Sequence, residues 1–339
     1  MTLLRVDPRA PDPSAIERAA KLLRDGGLVA FPTETVYGLG VNALDARAVE
    51  RLYAVKRRPA VNPLIVHVAD TEAARALVAR WPAAAQRLAD AFWPGPVTLV
   101  LEKRAHVPDV VTAGLPAVGV RVPAHPVALA LLRAARVPVA APSANRSTEL
   151  SPTRAEHVVK SLGDDVDLVL DAGPCSVGIE SAVIDLTGPR ARLLRPGALD
   201  PGELARVAGE LDLVAHTPAA DAPRASPGMM ERHYAPRARL VVVPARDAEA
   251  LVAARELARD VRLRGGKVAE LSFGAFTVGA ELARAFDVRD PERAARELYD
   301  ALHAFDDAGA TLILAEEPPA TPSWLGVRDR LRRASAPKA

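Results

Sequence analysis

Short apolar runs alternate with amphipathic ones from the beginning of the chain, and that alternation restricts the fold more than any other feature. Parallel strands need a crossover between them, usually a helix, so a chain patterned this way folds in α/β layers. Ile16, Ala19, Ala20 and Leu23 recur at helical spacing over residues 14–25, with Ser14 placed to cap the helix and Gly26-Gly27 to stop it. A buried-type strand, Leu28–Phe31, is followed by a loop and by a helix over 46–56 with Val49, Leu52 and Tyr53 facing inward. Leu64–Val68, Val97–Glu102, Val118–Val122, Val137–Ala140, Asp167–Asp171, Ser181–Leu186 and Arg192–Arg195 read as further strands. Thr153 and Glu156 have the spacing of a capping box, and Asp200-Pro201 sets a cap before a proline at the first helical position. This α/β domain ends near residue 212.

Residues 213–237 change character: His216-Thr217-Pro218, Asp221–Pro223 and Ser226-Pro227-Gly228 read as an extended connector. Beyond it, strands 240–243, 267–271 and 311–315 alternate with helices 247–260 and 291–307, giving a second, smaller α/β unit that a basic helix near Trp324–Arg333 closes. A chain of 339 residues has room for two such cores. Its net charge of +2 argues against a general affinity for nucleic acid, so any basic site is local. The single cysteine, Cys175, fits a reducing compartment. No apolar run reaches the ~20 residues that span a bilayer, and Met1–Pro8 lacks the pattern of a secretory signal. The expectation is a soluble cytoplasmic protein without a membrane segment.

Chemistry-bearing residues gather in loops that follow strands. Phe31-Pro32-Thr33-Glu34-Thr35-Val36-Tyr37-Gly38-Leu39-Gly40 offers hydroxyls and a carboxylate where open sheets bind ligands. Its Gly38-x-Gly40-x-x-Ala43 tail lies six residues beyond Phe31, too far for a dinucleotide fingerprint, and structural turn glycines are the ordinary reading. Lys56-Arg57-Arg58 ends a helix, where positive charge is favoured in any case; phosphate binding is the alternative, with Lys56 as a point charge and Arg58 as a fork. His67 on its strand reads as a core histidine, and Arg121 within a hydrophobic strand demands a partner, either a carboxylate of the protein or one from a ligand. Ser143 and Asn145 are placed either to cap a helix or to hold phosphate oxygens. Gly173-x-x-x-x-Gly178 lacks the Lys-Ser/Thr of a Walker loop, and the seven scattered histidines form no helical ligand pair.

Taken together, Phe31–Gly40, Lys56-x-Arg58 with Asn62–His67, Trp93–Pro96, Val120–Pro123, Ala141–Asn145, Gly178-x-Glu180-Ser181 and Leu194–Gly197 resemble the threonylcarbamoyl-AMP synthase family. Ser226–Met229 with Arg232–Pro236 resembles the linker of its two-domain form. The resemblance implies a YrdC-like catalytic domain over 10–212, a twisted open mixed sheet flanked by helices. It also implies a linker or lid over 213–238, which includes His233 and Tyr234, and a smaller Rossmann-like α/β C-terminal domain over 239–336. The implied reaction joins L-threonine, bicarbonate or CO2, and ATP with its Mg2+ into threonylcarbamoyl-AMP and pyrophosphate. A tRNA threonylcarbamoyl-transferase complex is the implied downstream partner, with a weak contact to tRNA itself.

By the same resemblance Lys56, Arg58, Ser143 and Asn145 form the nucleotide-handling tetrad, and Asn62, Ser151 and Arg195 add contacts to ATP. Thr35, His67, Arg121, Ala141 and Ser181 surround threonine, and no metal ligand comes from the protein. Three positions depart from the pattern: Glu231 where relatives carry an aromatic, Ala182 where threonine is usual, and a loosely matching tail, Gly326–Leu331. The main alternative is a non-catalytic RNA-binding module of the same fold. A hydrogenase-maturation type of carbamoyl-transfer domain and a dinucleotide oxidoreductase are further ones.

Overall fold

A computed structural model describes residues 1–213, 232–274 and 276–337. It divides into two units, one of Met1–Ser147 with Ser151–Met230 and one of Thr148–Leu150 with Glu231–Ala339. Among the described residues no helix is long and apolar enough to cross a membrane.

The first unit is built on an eleven-stranded mixed sheet. Its strands are β1 (Thr2–Arg5), β2 (Val29–Phe31), β3 (Gly38–Asn42), β4 (Ile65–His67), β5 (Val97–Glu102), β6 (Ala117–Arg121), β7 (Val139–Ala140), β8 (Leu168–Asp171), β9 (Ala182–Asp185), β10 (Ala191–Arg195) and β11 (Leu211–Leu213). They lie in the order β1-β8-β2-β3-β7-β4-β6-β5-β9-β10-β11. Alternation along a strand sends neighbours to opposite faces, and the core records it: Leu28 and Ala30 enter one apolar cluster, Val29 and Phe31 another. The helices Pro13–Arg24 and Pro126–Ala135 cover the second face through Ile16, Leu23, Val127 and Leu131. Towards β5, β9 and β10 that covering runs out. Ile65, Val100, Val183 and Leu194 form a cluster of their own, to which no helix among the described residues contributes. A cavity of about 170 Å³ opens there, lined among others by Pro63, Thr98, Gly119 and Arg192.

The second unit has four parallel strands, β12 (Arg239–Val243), β13 (Val268–Ser272), β14 (Leu282–Ala285) and β15 (Leu312–Glu316), in the order β12-β15-β13-β14. The helices Ala248–Leu263, Pro291–Asp307 and Leu325–Ala334 accompany them. Asp247 and Asp290 cap the first two with side-chain oxygens on helix N–H groups.

Local expectations meet three corrections. Asp12, not Ser14, caps the first helix, its carboxylate accepting from the Ser14 N–H at 2.8 Å. The helix Ala155–Leu162 begins at Arg154 without a side-chain cap, because Thr153 is turned to His157 instead. The glycines at 38 and 40 lie within a strand rather than a turn. A Cβ on Gly40 would stand 2.8 Å from both Phe31 and Val139, so only glycine lets β3 fit among those side chains.

Candidate functional site

Register places the first group of site residues in a row on one sheet face. His67 is paired with Arg121 across β4 and β6, Thr98 with Val183 across β5 and β9, and Val183 with Arg195 across β9 and β10. Directly paired residues share a face. The last pairing depends on a register shift between Leu193 and Arg195, a bulge that re-aims the arginine. Arg195 then donates from Nε to the Ser181 carbonyl at 3.1 Å and from Nη2 to the Ser181 hydroxyl at 3.2 Å. That hydroxyl also shares a hydrogen bond of 2.8 Å with Thr98. Gly197 keeps this corner tight, since a Cβ there would lie 2.4 Å from the Ala182 nitrogen.

Arg121 reaches the loop between β2 and β3. It donates to the Thr35 hydroxyl at 3.0 Å, to the Glu34 carboxylate at 2.6 Å and to the Gly95 carbonyl at 3.1 Å. Glu34 is thus the internal partner that a buried arginine requires. His67, 4% exposed, has its pKa lowered to about 3, by burial first and by the Arg121 charge second. It is neutral at ordinary pH, and its buried Nδ1 has no hydrogen-bond partner among the described residues. Cys175 is buried, and burial raises its thiol pKa, which leaves it a poor nucleophile.

The second group converges on the helix Ala46–Lys56. Lys56, 1% exposed, points its ammonium at the Ser143 carbonyl at 2.5 Å and at the Asn145 carbonyl. Arg57 takes a left-handed conformation, φ +50°, and stays exposed, so it is the ordinary helix-end cation. That turn folds Arg58 inward, where Nε donates to the Asn62 carbonyl at 3.0 Å and Nη2 to the Pro63 carbonyl at 2.8 Å. Tyr53 hydrogen-bonds the same Asn62 carbonyl at 2.9 Å. The loop after β7 is tied to the others: Ala141 donates to Ile65, Ala144 to Tyr37, and Ser147 to the Lys56 carbonyl. Ser143 is half-buried beside Gly38, and Asn145 is buried. Ser151 donates to Glu180, next to Ser181.

The structure therefore gathers Thr35, His67, Arg121, Ser181 and Arg195 through direct bonds or strand pairing, and Lys56 with Ser143 and Asn145 through another set. His233 and Tyr234 belong to the second unit, where Tyr234 packs on His233 at 4.0 Å, on Tyr299 at 5.9 Å and under Arg330 at 5.2 Å. Most of the expected linker, residues 214–231 with Glu231 among them, lies outside the described residues. Thr98, Glu34 and Glu180 are site residues that sequence reasoning did not assign. Glu34 left a signal in the need of a strand arginine for a carboxylate, and Glu180 stood in the motif Gly178-x-Glu180-Ser181 without a role of its own. Among the described residues no three His, Cys, Asp or Glu side chains gather as a metal cage.

The site is thus an α/β sheet with buried cations and hydroxyls gathered at its strand ends and loops, and comparison with known proteins gives its family. A family model, Sua5_yciO_yrdC, described as telomere recombination, matches residues 21–197. Another, described as threonylcarbamoyl-AMP synthase, C-terminal domain, matches residues 200–336. A Pyrococcus abyssi threonylcarbamoyl-AMP synthase is 43% identical over 94% of this chain and 94% of its own. One from Bacillus subtilis is 39% identical over 94% of this chain and 92% of its own. The crystal structure of P. abyssi Sua5 complexed with L-threonine is similar with a TM-score of 0.91 at 42% identity, covering 99% of this chain and 98% of that one. The chain belongs to the threonylcarbamoyl-AMP synthase family.

Proposed function

We propose that this chain is a nucleotidyltransferase that makes threonylcarbamoyl-AMP and pyrophosphate from L-threonine, bicarbonate or CO2, and Mg2+–ATP. The amino nitrogen of threonine bonds to the carbon of CO2 and gives up a proton, forming N-carboxythreonine. A carboxylate oxygen then bonds to the α-phosphorus of ATP as the bond to pyrophosphate breaks. Little covalent help is needed from protein, because positioning and charge stabilisation dominate phosphoryl chemistry. Mg2+ arrives with the triphosphate as part of the substrate.

The observation that carries this reading is the register that sets His67, Arg121 and Arg195 on one sheet face beside Ser181. Three hydrogen bonds of Arg121 leave one N–H on each terminal nitrogen, the number that a carboxylate takes from a fork. Neutral His67 adds no positive charge beside it, so a substrate amine meets no extra repulsion. Thr35, Ser181 and the backbone at Ala141 complete the threonine contacts in this reading. Lys56 and Arg58 donate to carbonyl oxygens, which aim both cations. With Ser143 and Asn145 they take the triphosphate, and Asn62, Ser151 and Arg195 take the rest of ATP.

Catalysis is assigned to residues 10–212, with 239–336 as a separate folded domain. The product is a mixed anhydride, so an acyl-transfer complex acting on tRNA must consume it, in the cytoplasm. The test is pyrophosphate release with and without threonine and bicarbonate, with the nucleotide identified by mass spectrometry. Release that needs both, with a threonylcarbamoyl-AMP mass, is expected. Lys56→Ala should lose one transition-state donor, about 3 kcal/mol or on the order of a hundredfold in turnover. Salt-sensitive RNA binding without any turnover would overturn the reading in favour of a binding module.

A further inference from the structure

The loop between β2 and β3 carries one carboxylate, Glu34, to which the reaction gives no task. It is 5% exposed, and both oxygens are engaged: Oε1 accepts from Arg121 Nη2 at 2.6 Å, and Oε2 from the Ala124 N–H at 3.0 Å. Its backbone is fixed as well, since Val177 donates to the Glu34 carbonyl at 2.7 Å. Burying a carboxylate in a loop is costly, so its geometry points to something beyond connection.

Arginine has many rotamers, and a forked contact works only when both donors face the same ligand. Thr35 and Gly95 hold two of the Arg121 donors through neutral acceptors. Glu34 supplies the third restraint, shorter than the other two and charge-assisted. Through Ala124 it also ties down the chain that leaves β6 three residues after Arg121.

We propose that Glu34 is a positioning residue that holds the Arg121 guanidinium in the orientation that presents its two remaining N–H groups to the carboxylate of the amino-acid substrate. Glu34 does not touch the substrate; it sets selectivity for a free carboxylate through Arg121. This rests on the amino-acid-binding role given to Arg121 in the proposed function.

The test compares the full-length wild type with Glu34→Gln and Glu34→Asp in pyrophosphate release, varying threonine and ATP separately. Glu34→Gln should raise the KM for threonine at least tenfold and leave the KM for ATP within twofold. The preference for threonine over threoninamide, which lacks the carboxylate, should shrink by a comparable factor. Glu34→Asp keeps the charge, retracts it by one methylene and should fall between the two. Thermal melts followed by circular dichroism show which variants fold, and if Glu34→Gln does not melt cooperatively, Glu34→Asp carries the same comparison. Equal rises in both KM values, a fall in kcat alone, or an unchanged preference over threoninamide would reduce Glu34 to a structural loop residue and overturn the inference. A folded wild type without threonine-dependent release would overturn the functional reading and this inference with it. An active wild type beside an indifferent variant overturns the inference alone.

Discussion

The two units bury charge in different ways. In the second, buried charge is answered close at hand by the opposite charge or by backbone N–H groups. Asp329 accepts from Arg330, Arg332 and Arg333, Asp306 accepts the Arg237 and Ala238 N–H groups, and Glu270 accepts the Val278 N–H. In the first, Lys56 and Arg58 donate to carbonyl oxygens, Arg195 donates to the Ser181 hydroxyl, and Arg121 divides its donors among the Glu34 carboxylate, the Thr35 hydroxyl and a carbonyl. A carboxylate cancels a cation, whereas a carbonyl or hydroxyl steers it. Buried charge in the second unit therefore serves the fold, whereas in the proposed function the cations of the first unit are aimed at an anionic substrate.

The strongest way to break that contrast is to remove a carboxylate from the second unit. Asp329→Ala leaves Arg330, 1% exposed, and the buried Arg333 without their shared carboxylate, and removing one side of a buried ion pair costs about 3–5 kcal/mol. Denaturant melts should show that loss in the second unit, while the full chain still turns over at low temperature. A variant that keeps its stability and loses turnover would mean that the second unit's charges are not structural.

Acid sharpens the comparison further. A lowered histidine pKa means that the unfolded chain binds the proton first, so His67 contributes stability above ~6.5 and loses it as pH falls towards its own value. The loss approaches about 1.4 kcal/mol per pH unit below that point. For Asp329, burial raises the pKa, but Arg330, Arg333 and Arg332 override it and hold the carboxyl below its ordinary value. Its contribution is present above ~3.9 and is lost only below that. Between pH 6.5 and about 4.5 the first unit should weaken ahead of the second. Hydrogen exchange read separately for the two units checks this, and His67→Gln should flatten the slope of the first.

How much of this was legible in the sequence depends on how local its cause is. The helices 46–56 and 291–307 and the strand Val97–Glu102 agree to the residue, because caps, a proline or apolar periodicity mark their ends. β3 read as a loop because its glycines speak for a turn; pairing with β2 and β7 makes it a strand, and that is a non-local cause. The candidate site residues were named from the sequence, and the need of Arg121 for a carboxylate was visible there. The pairing of His67 with Arg121, and the bulge that turns Arg195 onto Ser181, arise from register between distant segments and left no local mark.

The smallest expected effect separates the units by function rather than by stability. Asp45 caps the helix that ends at Lys56, accepting from Arg47 and Ala48 at 3.0 and 3.2 Å, and Asp290 caps the helix Pro291–Asp307 in the second unit. Replacing either with alanine should cost about 1 kcal/mol, since each frees one helix terminus. Equal losses of stability with unequal losses of turnover are expected. Asp45→Ala loosens the helix that delivers the Lys56 ammonium, so its turnover at low ATP should fall about twofold, a fraction of the cap's full worth. Asp290→Ala should leave turnover at the wild-type value. Steady-state rates at limiting ATP decide it: equal rates would show that the contacts of the Lys56 ammonium, the Ser143 and Asn145 carbonyls among them, hold it in place whatever the helix behind it does.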